Sequence, residues 1–196
     1  MKFILIIFTF LFTFTAQAQA LPEKPEDISP ILIGETLPEA TLYSVKNTPT
    51  TLKSIISQST ILVFYRGGWC PYCNTHLADL VKYEDKITAL GYKIVAISPD
   101  DFQNLDSTAI NHGMKYALYS DKNANLIKAL GIGFKASANT RAYITSKNKG
   151  EITDVLPVPA VIIVNADGQV TMEYIRPNIT QRISGKLLLS ILSGLE

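Results

Sequence analysis

Two cysteines separated by two residues, Cys70 and Cys73, are the side chains of this sequence best suited to chemistry, and the sequence contains no others. A disulfide between such close neighbours adds little stability, because the entropy removed from the unfolded chain grows with the length of the closed loop. We therefore interpret both as catalytic thiols that alternate between a dithiol and a reversible disulfide.

Other uses of a Cys-x-x-Cys pair fit less well. Covalent haem attachment needs a histidine directly after the second cysteine, where Asn74 stands. Structural zinc needs four ligands, and the two histidines, His76 and His112, do not form a second ligand pair at a recognisable spacing. A copper-binding module remains an alternative, since paired thiolates suit Cu(I). It would usually include a histidine from a distant strand, and none follows His112. We predict no resident metal or cofactor.

The residues around the cysteines predict a strand, a turn and a helix. Residues 60–65 form a continuous apolar run, typical of a central strand buried on both faces. Arg66-Gly67-Gly68 interrupts that run. Apolar positions then recur at helical spacing over 71–90, and Gly91 follows as a stop signal.

This order places the thiols at the start of a helix. Cys70 would lie at the helix N-terminus, where free N–H groups and the helix dipole stabilise a thiolate. Pro71 suits the first turn, which needs no N–H. Cys73 would lie one turn later, close enough for a small disulfide. We expect Cys70 to be the more exposed thiol.

Apolar runs and helical patterns alternate along the rest of the chain, which indicates an α/β fold. The Asp167-Gly168 pair indicates a hairpin between two strands. The order of elements predicts a thioredoxin-like fold, a central mixed sheet flanked by helices, with one extra strand–helix segment. The remaining predicted strands are 41–45 (at a sheet edge), 93–98, 116–119, 160–164 and 169–174; the helices are 52–57, 99–111, 123–130 and 179–195; residues 141–149 are predicted as a loop.

Four further residues are candidates for binding substrate. Trp69 and Tyr72 flank the thiols and are expected to shape a groove. Arg66 either stabilises a thiolate or binds substrate, with a surface charge as the alternative. Pro159 precedes a predicted buried strand, and we favour a cis peptide bond there, which would turn backbone towards the thiols. His76 is expected at an exposed helix position.

The first 20 residues read as a secretory signal peptide. Lys2 supplies a positive start, an apolar run follows, and Ala16-Gln17-Ala18-Gln19-Ala20 offers small residues for cleavage. A membrane anchor would need roughly 20 apolar residues, and this run is shorter. We predict a signal peptide at 1–20, an extended lead-in at 21–38 and one domain at 39–196, exported to the periplasm without stable membrane insertion after cleavage.

The balance of charges argues against a nucleic-acid partner. Its 18 Lys and Arg residues nearly balance its 17 Asp and Glu residues, for a net charge of +1. Binding to a phosphate backbone relies on a basic excess. A hydrophobic share of 47% instead supplies a core for one globular domain.

From about residue 33 to its end, the chain resembles the redoxin (AhpC/TSA) family of the thioredoxin-like superfamily. It is most similar to peroxiredoxin-like proteins with an Arg-Gly-Gly-Trp-Cys-Pro-Tyr-Cys motif, which runs here from Arg66 to Cys73. Supporting matches are Ala96-Ile97-Ser98-Pro99, Val158-Pro159-Ala160 and Asp167-Gly168. The resemblance implies a thiol-dependent antioxidant peroxidase.

The sequence also departs from that family. The typical peroxiredoxin motif Pro-x-x-x-Thr-x-x-Cys places the peroxide-attacking cysteine at Cys73, the threonine at Cys70 and the proline at Arg66. An arginine expected before the late strand is replaced by Val158-Pro159. Thioredoxin-type reductases resemble the site better in Trp69-Cys70 and Pro159, but their buried acid would fall on Phe64.

Two mechanisms follow from these resemblances. In a peroxidase, Cys73 attacks the peroxide and Cys70 resolves the sulfenic acid as a disulfide. In a disulfide reductase of exported proteins, Cys70 attacks a protein disulfide and Cys73 releases it. We favour the peroxidase. The partners implied are a peroxide or protein disulfide as substrate and a thioredoxin-like or membrane thiol reductant.

Overall fold

Within residues 20–195, the part of the chain that the computed structural model describes, nine strands form two sheets. Residues 1–19, which hold nearly all of the predicted signal peptide, and residue 196 lie outside that part. The strands are β1 Thr41–Ser44, β2 Pro49–Thr51, β3 Thr60–Phe64, β4 Lys93–Ser98, β5 Ala117–Ser120, β6 Gly133–Lys135, β7 Val155–Pro157, β8 Ala160–Val164 and β9 Val170–Ile175.

Seven α-helices are present in the same range, with one 3-10 turn at Pro25–Asp27. The helices are α1 Leu52–Ile55, α2 Pro71–Val81, α3 Glu84–Ala89, α4 Phe102–His112, α5 Asn125–Ala129, α6 Ala138–Lys147 and α7 Gly185–Leu192. Among the helices of residues 20–195, none combines the length and apolar character needed to cross a bilayer.

The main sheet has the strand order β2-β1-β5-β4-β3-β8-β9, and β6 pairs only with β7. β3 runs parallel to β4 and antiparallel to β8, so the sheet is mixed, as predicted. All five residues of β3 are buried, which confirms the prediction of a central strand. Its register sets Phe64 between Ile97 and Ala160. The loop after Phe64 therefore leaves the middle of the sheet.

Apolar layers cover both faces of this sheet, because successive strand side chains point to opposite faces. Leu62 and Phe64 join one cluster, with α5. Ile61 and Val63 join the other, which includes both cysteines and is covered by α2 and α7. The thiols are thus part of a packed core layer.

The predicted helix over 71–90 is two helices, α2 and α3. Tight backbone bonds end α2: Lys82 N donates to the carbonyl of Asp79, and Tyr83 N to that of Leu80. The turn directs the Tyr83 ring against Gly185 at the start of α7. A Cβ at residue 185 would lie 2.4 Å from that ring, so glycine permits the contact.

The closing helix is shorter than the predicted 179–195. Ser184 caps α7 by accepting a hydrogen bond from Leu187 N at 3.2 Å, so the helix begins at Gly185. Residues 179–184 form an irregular segment instead, which runs beside α2. The amphipathic pattern predicted a helix here but not the cap that delays it.

Two other predictions were wrong at the periphery. The first strand is not at the sheet edge, since β2 pairs outside β1. Residues 141–149, predicted as a loop, lie mostly in α6, which Ser137 starts by accepting from Thr140 N at 3.2 Å. Only Ile144 of this helix is buried, so its sequence carries little apolar periodicity.

Residues 21–38 run along the domain and bond to it. Lys135 N donates to the Pro22 carbonyl at 2.8 Å, and Ile31 N to the Leu130 carbonyl at 3.0 Å. The division between lead-in and domain at residue 39 stays a prediction.

Candidate active site

The loop after β3 delivers both cysteines to the first turn of α2. Cys70 is the N-cap residue, with an extended backbone (φ −91°, ψ 111°), and Pro71 takes the first helical position. The thiol of Cys73 donates a hydrogen bond to Cys70 Sγ, and the two sulfurs are 2.7 Å apart. Both cysteines are free. The pair is therefore a dithiol whose sulfurs are already in contact.

Neither thiol lies on the surface. Cys70 is 1% exposed and Cys73 0% exposed, so the expected greater exposure of Cys70 does not distinguish them. The reason is that the first turn of α2 packs into the core layer, where both sulfurs cluster with Tyr65 and Leu77.

The two thiols differ in acidity because they share one hydrogen bond. The bond from Cys73 lowers the pKa of Cys70 to about 6; burial opposes this, and the charges of Arg66 and Arg182 assist it. Burial, followed by the bond to Cys70, raises the pKa of Cys73 well above its ordinary value. At neutral pH the pair therefore holds one proton, on Cys73, and one negative charge, on Cys70.

Arg66 and Trp69 form one wall beside the thiols. Arg66 is 8% exposed, and its guanidinium carbon lies 4.9 Å from the centre of the Trp69 ring. It is therefore not a surface charge. Tyr143 of α6 meets the same indole edge-to-face, with ring centres 6.0 Å apart. Sequence reasoning did not foresee Tyr143, since it lies in the segment predicted as a loop.

An open groove of about 610 Å³ runs along α2. Tyr72, which is half exposed, borders it. His76 also borders it but is only 6% exposed, so the prediction of an exposed histidine was wrong. Burial first, and then the charge of Arg182, lower the pKa of His76 to about 4, which keeps the ring neutral. Its Nε2 has no hydrogen-bond partner among the described residues.

Sequence reasoning also missed Arg182, which contacts Cys73. It lies in the irregular segment before α7, and its Nη2 is 3.4 Å from Cys73 Sγ, as a donor. Its Nη1 donates to the carbonyls of Ile179 at 2.5 Å and Gln181 at 3.2 Å. The contact joins residues 109 positions apart, and no local spacing signals it.

A buried carboxyl accepts a hydrogen bond from the backbone of the loop that carries the thiols. Asp100, which follows β4, is 4% exposed and accepts from Gly68 N at 2.7 Å and from Asn148 Nδ2 at 2.6 Å. Burial raises the pKa of this carboxyl to about 6. The hydrogen bonds from Gly68 and Asn148 lower the pKa, and the charge of Cys73 raises it further. The position that aligns with thioredoxin's buried acid, Phe64, is apolar, but the neighbouring strand brings another acid to the same loop.

The peptide bond before Pro159 differs from the one predicted. The structure contains no cis peptide bond within residues 20–195, so the bond before Pro159 is trans. Val158 N donates to the Ile132 carbonyl at 2.9 Å, and the Pro159 carbonyl accepts from Arg176 N at 3.0 Å. Those bonds continue the extended chain into β8, which a trans proline allows.

Among residues 20–195, the thiol pair stands apart from any larger group of metal-ligating side chains. No group of three His, Cys, Asp or Glu side chains within the described range is arranged to hold a metal ion. The chemistry available at the site is that of two sulfurs, two guanidinium groups and one buried carboxyl.

Comparison with known proteins decides the family. The AhpC/TSA family matches residues 33–173, well over half of the sequence. The chain belongs to the AhpC/TSA family. Membership confirms the predicted class of function, a thiol-dependent oxidoreductase that reduces peroxides and acts as an antioxidant. It also indicates a peroxide as substrate and a thioredoxin-like protein as reductant.

Individual relatives are distant. 1-Cys peroxiredoxin PER1 of Arabidopsis thaliana is 25% identical over 165 residues, which cover 81% of this chain and 68% of that protein. The putative peroxiredoxin bcp of Haemophilus influenzae is 22% identical over 116 residues, covering 59% and 75%. Reduced Prx3 from Vibrio vulnificus in complex with H₂O₂ superposes with a TM-score of 0.71 at 19% identity, covering 83% and 99%. These likenesses confirm the thioredoxin-like peroxiredoxin fold.

The match to the AhpC/TSA family covers only part of the site. Residues 33–173 contain both cysteines, Arg66 and Asp100, but the match ends before Arg182. The assignment to a subgroup with the Arg66–Cys73 motif, and the roles of the individual site residues, stay predictions.

Proposed function

We propose that this AhpC/TSA protein reduces peroxides with Cys73 as the attacking sulfur and Cys70 as the resolving sulfur. The observation that carries the proposal is the 2.7 Å contact between the two sulfurs, across which one proton is shared. Cys73 is also the sulfur that a guanidinium touches. The attacking atom therefore has a base on one side and a cation on the other.

The reaction begins with transfer of the shared proton from Cys73 to the Cys70 thiolate. This transfer runs against the order of the two pKa values, so the Cys73 thiolate is a minor species, and the guanidinium of Arg182 beside it stabilises that species. The Cys73 thiolate attacks one peroxide oxygen, so that an S–O bond forms and the O–O bond breaks. The departing alkoxide, or hydroxide, takes the proton from Cys70 and leaves as an alcohol or water. Cys73 is now a sulfenic acid, and Cys70 is a thiolate again.

Resolution completes the oxidation. The Cys70 thiolate attacks the sulfur of Cys73, the disulfide forms, and hydroxide leaves and takes a proton from solvent. The peroxide has gained two electrons and the dithiol has lost two. A thioredoxin-like dithiol, or a membrane thiol reductant facing the same compartment, restores the pair by thiol–disulfide exchange.

Export to the periplasm is part of the proposal. It rests on the charged start, apolar run and small-residue ending of residues 1–20. Intact-mass measurement of protein recovered from the periplasm should show cleavage after Ala18 or Ala20. A full-length species extracted only with membranes would contradict export as a soluble protein.

A second candidate is a disulfide reductase that attacks exported proteins through Cys70. The observation in its favour is the lowered pKa of Cys70 at a helix N-terminus, which makes that sulfur the resting thiolate. Cys73 would then release the mixed disulfide. Both candidates use the same dithiol, and they differ in which sulfur attacks first.

Single-cysteine variants separate the two candidates. With Cys73 attacking, Cys70→Ser should consume about one equivalent of peroxide and stop at a sulfenic acid, because nothing closes the disulfide. Cys73→Ser should lose the fast reaction, and the double variant serves as the blank. Stopped-flow mixing with peroxide, followed by sulfenic-acid trapping and mass measurement, reads out each variant.

The opposite result identifies the reductase. Cys73→Ser would then hold substrate proteins as mixed disulfides through Cys70, and neither variant would react with peroxide faster than a free thiol of matching acidity. A fast peroxide reaction that survives in Cys73→Ser would show that Cys70 is the attacking sulfur.

A further inference from the structure

Arg182 connects the groove along α2 with a sulfur that solvent does not reach. The Cys73 sulfur belongs to a residue with 0% exposure, whereas Arg182 is partly exposed and lines the groove together with Tyr72 and His76. Its Nη2 is 3.4 Å from Cys73 Sγ. One guanidinium group thus borders both the open groove and the buried thiol.

The arginine is held in place by its own segment. Both carbonyls that accept from Nη1, those of Ile179 and Gln181, are within three residues of it. The segment in turn is fastened to α2, because Gly185 N donates to Asp79 Oδ2 at 2.8 Å. A donor that is fixed before the reaction does not need to reorganise when charge develops next to it.

Of the basic side chains near the thiols, Arg182 is the one whose charged group contacts Cys73. Arg66 lies over the Trp69 ring, and its charge acts on Cys70. Arg182 lowers the pKa of both thiols. The nearby imidazole of His76 is neutral at pH 7, so it brings no second positive charge to this side.

We propose that Arg182 is a catalytic residue, which stabilises the Cys73 thiolate and donates a hydrogen bond to the peroxide oxygen that leaves. This inference rests on the proposed attack by Cys73. Arg182 lies beyond residue 173, where the family match ends.

The role fits the charge balance of the reaction. While the S–O bond forms and the O–O bond breaks, negative charge moves from Cys73 Sγ to the departing oxygen. A guanidinium already in contact with the sulfur can follow that charge, because its planar fork presents several N–H donors. The proton that neutralises the departing oxygen comes from Cys70, so Arg182 donates hydrogen bonds and keeps its own protons.

The test uses the full chain with Cys70→Ser, in which Cys73 titrates alone. Arg182→Met should raise the pKa of Cys73, read from the ultraviolet absorbance of the thiolate against pH. It should also slow single-turnover consumption of hydrogen peroxide by about 100-fold, the loss typical for one oxyanion donor. At pH values that give equal thiolate fractions, a defect of about tenfold or more should remain.

Two further variants separate the effect of charge from that of geometry and provide a control. Arg182→Lys retains a positive charge but not the fork, so it should restore the pKa of Cys73 more fully than the peroxide rate. Arg176→Met removes an exposed arginine that stacks on Tyr174, and it should change neither quantity. Circular dichroism and thermal unfolding show whether each variant is folded.

Failure of the inference is distinct from failure of the proposed function. An unchanged pKa of Cys73 in Arg182→Met, or an unchanged rate at equal thiolate fraction, would overturn the catalytic role of Arg182. If the Cys70→Ser parent does not react with peroxide, the attack by Cys73 is wrong, while the titration still shows whether Arg182 stabilises the thiolate.

Discussion

Two segments bring arginine to the thiols, and they are held in different ways. The loop at residues 66–70 includes Cys70, and its backbone fits closely against the Trp69 side chain and Asp100. The segment at residues 179–184 is distant in sequence and is held by a few hydrogen bonds. The difference suggests that the loop determines whether the site forms, whereas the segment adjusts its chemistry.

Substitution of Gly67 should have the largest effect. Gly67 has φ +145°, and an added Cβ would lie 2.3 Å from Trp69 Nε1 and 2.5 Å from Asp100 Oδ1. Strain and overlap together should lower the free energy of unfolding of Gly67→Ala by about 4 kcal/mol. Urea unfolding monitored by circular dichroism measures this change.

Gly34→Ala is the matched control for that experiment. Gly34 also has positive φ, +93°, but nothing lies within 4 Å of an added Cβ. It should lose only the strain component, about 1 kcal/mol. Equal losses at both positions would show that the close fit of the loop contributes nothing to stability.

A smaller effect, visible against pH, is expected at the carboxyl behind the loop. Burial raises the pKa of Asp100 to about 6, so the folded protein binds this proton more tightly than the unfolded chain. The free energy of unfolding should therefore fall as pH rises through the interval from about 4 to about 6, by about 3 kcal/mol. Asp100→Asn should remove that share of the pH dependence.

Asp121→Asn tests whether the effect is specific to the site. Burial also raises the pKa of Asp121 to about 6, but this carboxyl accepts from the N–H groups of Asn125 and Ile127 in α5. Both variants should reduce the slope of stability against pH. Only Asp100→Asn should also lower the pKa of Cys73, because the charges of that pair repel. Equal thiol titrations in the two variants would argue against coupling between Asp100 and the thiols.

The smallest change is expected at the fastening of the second segment. Asp79→Ala removes the acceptor of Gly185 N and should lower the free energy of unfolding by about 1 kcal/mol. It should also slow peroxide consumption, since Arg182 loses its anchored backbone. Asp79→Asn keeps an acceptor oxygen and should retain most of both quantities. If both the unfolding temperature and the peroxide rate fall in Asp79→Asn, the carboxylate charge matters more than the hydrogen bond.

The strand, loop and helix around the thiols could be predicted from the sequence because the local sequence patterns agreed with one another. The apolar run of β3, the glycines after it and the helical spacing after Pro71 each pointed to a strand–loop–helix unit that begins with a thiol pair. The Asp167-Gly168 pair likewise predicted the turn between β8 and β9. These elements depend on residues that are neighbours in the chain, and the side chains themselves carry the pattern.

Elements governed by caps or distant contacts were not readable. α6 begins at a serine cap and buries little, so its sequence resembled a loop. His76 was expected on an exposed face, but the segment before α7 covers it. Pro159 was expected to be cis from its context with the cysteines, whereas its bond is trans and the chain on both sides of it is hydrogen-bonded to neighbouring segments.

The sequence by itself determined the thiol chemistry, the thioredoxin-like fold and the position of the pair at a helix start, because these follow from residues close together in the chain. Only the tertiary structure decided which charges surround the sulfurs. Asp100 comes from the next strand and Arg182 from a segment 109 residues beyond Cys73, and each acts through contacts that sequence spacing does not record. The acidity of the two thiols depends on burial and on these neighbours, so it is a property of the folded chain.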